Sequence, residues 1–279
     1  MSEALLEFRD ISYAYEEGGF ALQPLSLTIQ PGERIGVLGG NGAGKSTFFL
    51  CCNGVLTPDS GRIFFRGREV TRKKTDLLEL RKNVGIVFQD PNQQLIASTV
   101  EDEISFGPMN LRLPPQEVAS RVEEALMAMN LGRLRERPPH YLSGGEKKRV
   151  SIADVLAMEP ELILFDEPTA SLDGANIEVL DGILAKLSQG GKTLMVSTHD
   201  VDFCWRWASR VLVFRAGRLV ADDLPHNIFS DDALLKSNGL QKPVLLEVTR
   251  MLEQKSGTAP GVWKPKNLAG LNEIINAVL

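Results

Sequence analysis

The sequence predicts an α/β fold built on a parallel core sheet. Two short apolar runs carry that prediction. Arg34–Leu38 runs straight into glycines and then a helical pattern, and Leu162–Phe165 ends in acids. Amphipathic stretches at helical spacing lie between them, and strands alternating with helices indicate a layered fold with buried parallel strands.

The elements follow in chain order. Leu5–Ile11 alternates apolar and polar residues as a strand does, and Ala21–Ile29 repeats the pattern before the turn at Pro31-Gly32. Arg34–Leu38 is the next strand. Asp59-Ser60-Gly61 predicts a turn into a strand over Arg62–Arg66, and Arg66, Arg68, Arg72, Lys73 and Lys74 read as a solvated face. Between Pro114 and Leu131, Val118, Val122, Leu126 and Met129 recur at helical spacing, until Arg137-Pro138-Pro139 breaks the pattern. Val150, Ala153, Leu156 and Ala157 form a second helical stripe. Leu162–Phe165, Thr193–Ser197 and Arg210–Phe214 read as further strands. After Pro225 the character changes. Val244, Leu245, Val248, Met251 and Leu252 make one helical stripe, 256–266 reads as a loop or linker rich in Pro and Gly, and Leu268, Leu271, Ile274, Ile275 and Val278 make a last one. The expected organisation is a domain over 1–225 and a helical extension over 226–279.

Length and composition bound the function. A chain of 279 residues is long enough for a sizeable core, and 43% hydrophobic with 24% charged residues is ordinary for a globular protein. Asp plus Glu number 36 against 31 Lys plus Arg, a net charge of -5, which argues against a duplex-DNA binder, and no nucleic-acid partner is expected. The opening MSEALLEFRD carries acids where a secretory signal needs cations, and no apolar run reaches the ~18 residues of a spanning helix. Cys51, Cys52 and Cys204 suit a reducing compartment, the first two as buried helical thiols. The expectation is a cytoplasmic protein that meets a membrane only through partners.

Three stretches carry chemistry. Gly39-Gly40-Asn41-Gly42-Ala43-Gly44-Lys45-Ser46, with Thr47 after it, follows a strand and opens a helix, which is the phosphate-loop pattern in its required context. Its backbone N–H groups turn around phosphates, Lys45 reaches the β and γ groups, and the Ser46 hydroxyl binds Mg²⁺. Asp166 and Glu167 follow the apolar run 162–165. Two acids at a strand's carboxyl end divide the work, Asp166 holding Mg²⁺ through water and Glu167 activating the attacking water. Ser143-Gly144-Gly145 is a second candidate anion site at a helix start. Within one subunit it is surplus. It makes sense if a second copy, head to tail, brings it to the γ-phosphate from the opposite side. An ordinary N-cap, with Ser143 as cap and Glu146 three residues on, describes the local sequence equally well.

Leu142-Ser143-Gly144-Gly145-Glu146 resembles the signature motif of ATP-binding-cassette ATPases, and the rest of that family's motifs follow in order. Tyr15 matches the aromatic that stacks on adenine, with Tyr13 as its rival. Gln89 in VFQD matches the glutamine that senses Mg²⁺ and the partner helix. Leu164–Pro168 matches Walker B, Ser171-Leu172-Asp173 the loop crossing the dimer interface, and His199 in STHD the switch histidine at the γ-phosphate. The resemblance covers roughly residues 5–225. It implies a phosphate-loop NTPase fold with an antiparallel β subdomain and a helical subdomain near 91–155, ATP and Mg²⁺, and a signature that binds nucleotide in trans. Glu146 departs from the family's usual glutamine, and Asp154 stands in a stretch that usually carries a small residue, where it could face solvent or perturb the helix. His140 and His226 lack motif context and are expected at the surface.

VFQDPNQQL and TVEDEISFGPMNL are similar to the ATPases of energy-coupling-factor importers, and NGAGKST with FQDP to their cobalt/nickel branch. That resemblance implies a place at the cytoplasmic face of a membrane, and the intact catalytic motifs favour a homodimer with two competent sites over a heterodimer with a degenerate partner. Its partners would be a transmembrane coupling subunit and a substrate-specific membrane subunit. Gln93, Gln94 and Leu95 are then candidates for the groove that receives coupling helices, with a plain loop as the rival reading. The tail after Pro225 resembles the extension that holds such dimers together.

Overall fold

The structure is a computed structural model that describes residues 3–16, 19–170 and 172–278. In chain order its elements are β1 (Leu6–Ala14), β2 (Phe20–Ile29), β3 (Arg34–Leu38), α1 (Lys45–Cys52), β4 (Ser60–Phe65), β5 (Arg68–Val70), α2 (Lys74–Asn83), β6 (Val84–Val87), α3 (Val100–Asn110), α4 (Pro115–Ala128) and α5 (Gly144–Ala157). There follow β7 (Leu162–Asp166), α6 (Gly174–Gln189), β8 (Thr193–Ser197), α7 (Val201–Trp207), β9 (Arg210–Arg215), β10 (Arg218–Asp223), α8 (Pro225–Ser230), α9 (Asp232–Asn238), α10 (Val244–Ser256) and α11 (Leu268–Val278). The chain divides into two compact units, 1–33 with 46–197, and 34–45 with 198–279.

The first unit carries an antiparallel sheet in the order β2-β1-β4-β5. Its inner face is apolar: Leu6, Phe8, Ile11, Leu22 and Ile29 are almost fully buried, and Phe8 packs against Phe48 of α1 with ring centroids 5.2 Å apart. β4 and β5 pair with Phe65 opposite Arg68. The two residues between them, Arg66 and Gly67, have φ of 48° and 70°, the backbone of a tight hairpin turn matched to strand twist. The strand expected over Arg62–Arg66 therefore starts two residues earlier and stops before Arg66. The same unit holds β6, β7 and β8, paired parallel, with Val84 opposite Leu162 and Leu162 opposite Thr193. All residues of β7 and β8 are buried, as expected of strands covered on both faces. α3, α4 and α5 pack on one another, and Val100, Ile104, Val122, Leu126, Val150 and Ile152 on them are buried.

In the second unit β3 pairs parallel with β9, Ile35 opposite Arg210, and β9 turns back into β10 through Ala216 and Gly217. Cys204 of α7 is buried against Gly36 of β3. The C-terminal part of this unit is tied by its own polar contacts. Glu253 is buried in α10, and its carboxylate accepts the N–H groups of Gly261 and Trp263, each at 2.9 Å. Trp205 Nε1 donates to Pro265 O at 2.8 Å, and the Lys266 ammonium lies 3.9 Å from the Trp205 ring centroid. His226, expected at the surface, is half-buried in this cluster beside Trp205, and burial holds its imidazole below the usual histidine range. His140 is exposed as expected. Among the described residues no helix is long and apolar enough to cross a membrane.

Candidate functional site

The phosphate loop runs from the end of β3 to the start of α1. Gly39, Gly42 and Gly44 have φ of 151°, 72° and 103°. A Cβ on Gly39 would stand 2.4 Å from Phe214 O, so a larger residue there meets backbone. At Gly40 and Gly42 a Cβ would meet nothing within 4 Å, and both residues are exposed. That is the shape of a cradle open to a ligand. Lys45 is buried, and its ammonium donates to Gly39 O at 2.7 Å and Gly40 O at 3.4 Å. Ser46 is exposed, while Thr47 is buried with its hydroxyl 3.3 Å from the Tyr15 hydroxyl. Of the two candidate aromatics, Tyr15 is 48% exposed, and Tyr13 meets its ring edge-on at 5.0 Å. Tyr15 is thus the more exposed of the two, while Tyr13 is half-buried.

Two strand ends of the first unit organise the acids. Asp166, the last residue of β7, is buried, and its Oδ1 accepts the Ser197 hydroxyl from the end of β8 at 2.5 Å. Glu167 leaves the strand with φ of 43°, a left-handed backbone that only a determined surrounding sustains. Its N–H is held by Ser197, at 3.2 Å to the carbonyl and 2.9 Å to the hydroxyl. Ser197 thus orders both acids, a role the sequence reading did not assign. Its signal was its place at the end of the strand pairing with β7. His199 is exposed in the turn between β8 and α7 of the second unit. The donor set suits Mg²⁺: Ser46, Asp166 and Gln89 offer hard oxygens, and Mg²⁺ takes few protein ligands beside water and substrate phosphates. Among the described residues no group of three or more His, Cys, Asp or Glu forms a metal site.

Ser143 caps α5 as a full capping box. Its hydroxyl accepts Glu146 N–H at 3.3 Å, and its own N–H donates to Glu146 Oε2 at 2.8 Å. That backbone hydrogen bond holds the Glu146 carboxyl below its usual range, so the acid at this position fits the helix start. Gly144 is exposed with open space where a Cβ would be. Gly145 is buried, and a Cβ there would fall 2.2 Å from the Asn176 amide. The first glycine leaves room for a ligand, and the second lets α5 approach α6. Asp173 caps α6, its Oδ1 accepting from Asn176 N and Nδ2, each at 2.9 Å. Ser171 lies outside the described residues.

Gln89 is exposed just past β6. Its main chain is held from α5: Lys148 Nζ donates to Phe88 O and Gln89 O, each at 2.8 Å. Lys148 is 3% exposed, and burial lowers its ammonium to about 8. Sequence reasoning passed over this lysine. Its spacing with Gly145, Ile152 and Val155 places it on the buried stripe of α5, which was the available signal. Of the groove candidates, Gln93 is exposed, Leu95 is half-buried, and Gln94 turns its amide inward to Ser151 O and Asp154 Oδ2 at 2.8 and 2.9 Å. Asp154 therefore neither faces open solvent nor disrupts α5.

A family profile described as ABC transporter matches residues 22–170. The chain is 41% identical over 273 residues to the energy-coupling factor transporter ATP-binding protein EcfA2 of Methanospirillum hungatei, covering 98% of this chain and 68% of that protein. It is 46% identical over 244 residues to the cobalt import ATP-binding protein CbiO of Rhodobacter capsulatus, covering 88% and 87% of the two. Among solved structures, cbiO1 from Clostridium perfringens superposes with a TM-score of 0.74 at 37% identity over 85% of this chain and 94% of that one. A dimeric ATP-binding cassette captured after hydrolysis with ADP and Pi gives a TM-score of 0.71 at 28% identity, covering 79% and 98%.

Proposed function

The chain belongs to the ABC transporter family, and from that membership we propose that it is the ATP-hydrolysing subunit of an energy-coupling-factor importer for a transition metal ion, cobalt or nickel. The observation that carries the ATPase reading is the phosphate loop, with its left-handed glycines and buried Lys45, in a chain whose β7 ends in Asp166 and a strained Glu167. Support for the importer branch comes from the identity to the EcfA and CbiO proteins over most of the chain.

In this reading Tyr15 stacks on adenine. Gly39 to Gly44 and Thr47 wrap the phosphates with N–H donors, and Lys45 supplies a point charge. Ser46, Asp166 and Gln89 hold Mg²⁺, which when bound neutralises charge on the phosphates. Glu167 takes the proton of the attacking water, and His199 contacts the γ-phosphate. Ser143, Gly144 and Gly145, with Asp173, serve the nucleotide of a second copy, so the working unit is a homodimer. Closure on ATP and opening after hydrolysis move membrane subunits docked near Gln93, Gln94 and Leu95, at the cytoplasmic face. Residues 226–279 form a helical extension that steadies the dimer.

A second reading, the same scaffold serving another solute, draws on relatives named for the energy-coupling factor without a metal. Pull-down of tagged chain from mild-detergent membranes of its own host separates the two. Recovery with a metal-specific membrane component supports cobalt or nickel, and a vitamin-binding subunit moves the substrate. Recovery only with ribosomes or repair proteins overturns transport.

A further inference from the structure

Asp154 is a carboxylate that the proposed chemistry leaves unused. It lies on the second half of α5, facing the segment that follows β6. Four side chains hold that segment, residues 88–97, to the helices α3 and α5. Lys148 takes the carbonyls of Phe88 and Gln89. Lys147 Nζ donates to Asn92 Oδ1 at 2.9 Å. Glu103, buried in α3, accepts the N–H groups of Ile96 and Ala97 at 2.8 and 2.6 Å. Between these anchors, Gln94 bridges in both directions. Its Nε2 donates to Ser151 O and Asp154 Oδ2, and its Oε1 receives a long 3.5 Å contact from Phe88 N.

The two acceptors on α5 are not equivalent. The Ser151 carbonyl belongs to the helix, whose own ladder claims it, whereas the Asp154 carboxyl oxygen has no such commitment. A small residue at 154 would leave Gln94 with the shared carbonyl alone. The charged group facing Asp154 from the neighbouring helix is Glu103, which is already committed to two backbone donors. Gln94 is thus the natural partner of Asp154, and Asp154 the added anchor of Gln94.

We infer that Asp154 is a positioning residue: through Gln94 it fixes the segment that carries Gln89 to the helix that opens at Ser143, so that the glutamine and the signature helix keep one register. The inference rests on the ATPase reading for its catalytic consequence but not for the latch itself. Gln89 stands five residues before Gln94, with its carbonyl on Lys148. Loosening Gln94 frees the downstream half of the segment and blurs the position of the Gln89 side chain. A misplaced catalytic group lowers turnover while leaving the phosphate loop's grip on nucleotide intact.

Hydrogen exchange on the full-length, nucleotide-free chain tests the latch directly. In Asp154→Gly and in Gln94→Ala, amides across Phe88 to Leu95 should exchange on the order of 10-fold faster than in the parent, while β7 and β8 keep their protection. Asp154→Asn, which keeps an acceptor oxygen, should restore most of it. In ATPase assays the first two variants should lose roughly 5- to 20-fold in kcat with ATP affinity within twofold of the parent. Their double variant should be no worse than either single. Unchanged exchange in both singles overturns the latch, and an additive double overturns the pairing. Faster exchange with unchanged kcat overturns the positioning role. If Asp154→Gly fails to fold, Gln94→Ala and Asp154→Asn carry the same comparison. A parent chain that hydrolyses no ATP sinks the functional reading, and the exchange result still decides the latch.

Discussion

Glu167 leaves its strand in a left-handed conformation that costs on the order of 1–3 kcal/mol for a non-glycine residue, and both Ser197 contacts sustain it. That strain is consistent with a side chain whose aim matters more than its comfort. Glu167→Gln should lower turnover at least ~100-fold while ATP binding and an ATP-held dimer persist, because the amide keeps the shape and loses the base. Normal hydrolysis by that variant would remove Glu167 as the base. Asp154 allows a pH test. Burial pushes its carboxyl from 3.8 up to about 7. The folded chain therefore keeps a proton that the unfolded chain releases from about pH 4 upward, so this residue's contribution to stability falls as pH rises through that window and levels off above 7. Asp154→Asn should unfold later than the parent at pH 8, by on the order of 2 kcal/mol, and the gain should vanish near pH 4. Urea titrations at the two pH values read it directly. Neither feature was legible beforehand. The acid pair was, but a positive φ and a desolvated carboxyl exist only once neighbours close around them.

At the scale of elements, the strands with strong local signals were read nearly to the residue. Arg34–Leu38 and Thr193–Ser197 coincide with β3 and β8, and Val244 and Leu268 open α10 and α11 where the apolar stripes begin. Some of the elements left unread had weak or mixed patterns. β5 is three residues long, and half of α2 is charged, so neither shows a clear apolar period. α3 carries Pro108 inside it, which reads as a breaker although the structure tolerates it near the helix end. Capping chemistry was legible, since Ser143 and Glu146 stand at the spacing of a capping box. Ser143→Ala should cost about 1 kcal/mol of stability, seen in thermal melts, by leaving an N–H at the start of α5 without its acceptor. The segment 256–266, read as a loop, is one except for Ser256, which ends α10, yet its anchors are specific. Glu253→Ala leaves the N–H groups of Gly261 and Trp263 without their carboxylate. Trypsin should then cut near Lys264 several-fold faster, and Glu253→Gln should show a smaller effect.

For the whole molecule, the decisive question is whether the signature serves a second copy. Ser143→Arg should block hydrolysis without blocking ATP binding, and Lys45→Ala should fail to bind ATP productively. Mixed together, the two should recover roughly a quarter of parental activity, since half the dimers pair the variants and each has one intact composite site. No recovery at all would weaken the in-trans arrangement.

What the sequence determined by itself are the properties that local chemistry imposes. The phosphate loop needs glycines wherever the backbone turns left-handed around a ligand, buried strands need unbroken apolar runs, and a helix start needs a side-chain acceptor. Those demands leave marks within a few consecutive residues, so the family, the fold class and the candidate residues could be read without coordinates. Only the tertiary structure decided which side chains hold them. Ser197 on Asp166, Lys148 on Phe88 and Gln89, and Asp154 on Gln94 join residues about 30 to 60 positions apart. A hydrogen bond reaches about 3 Å, and no sequence pattern records which of many distant polar groups packing will bring within it.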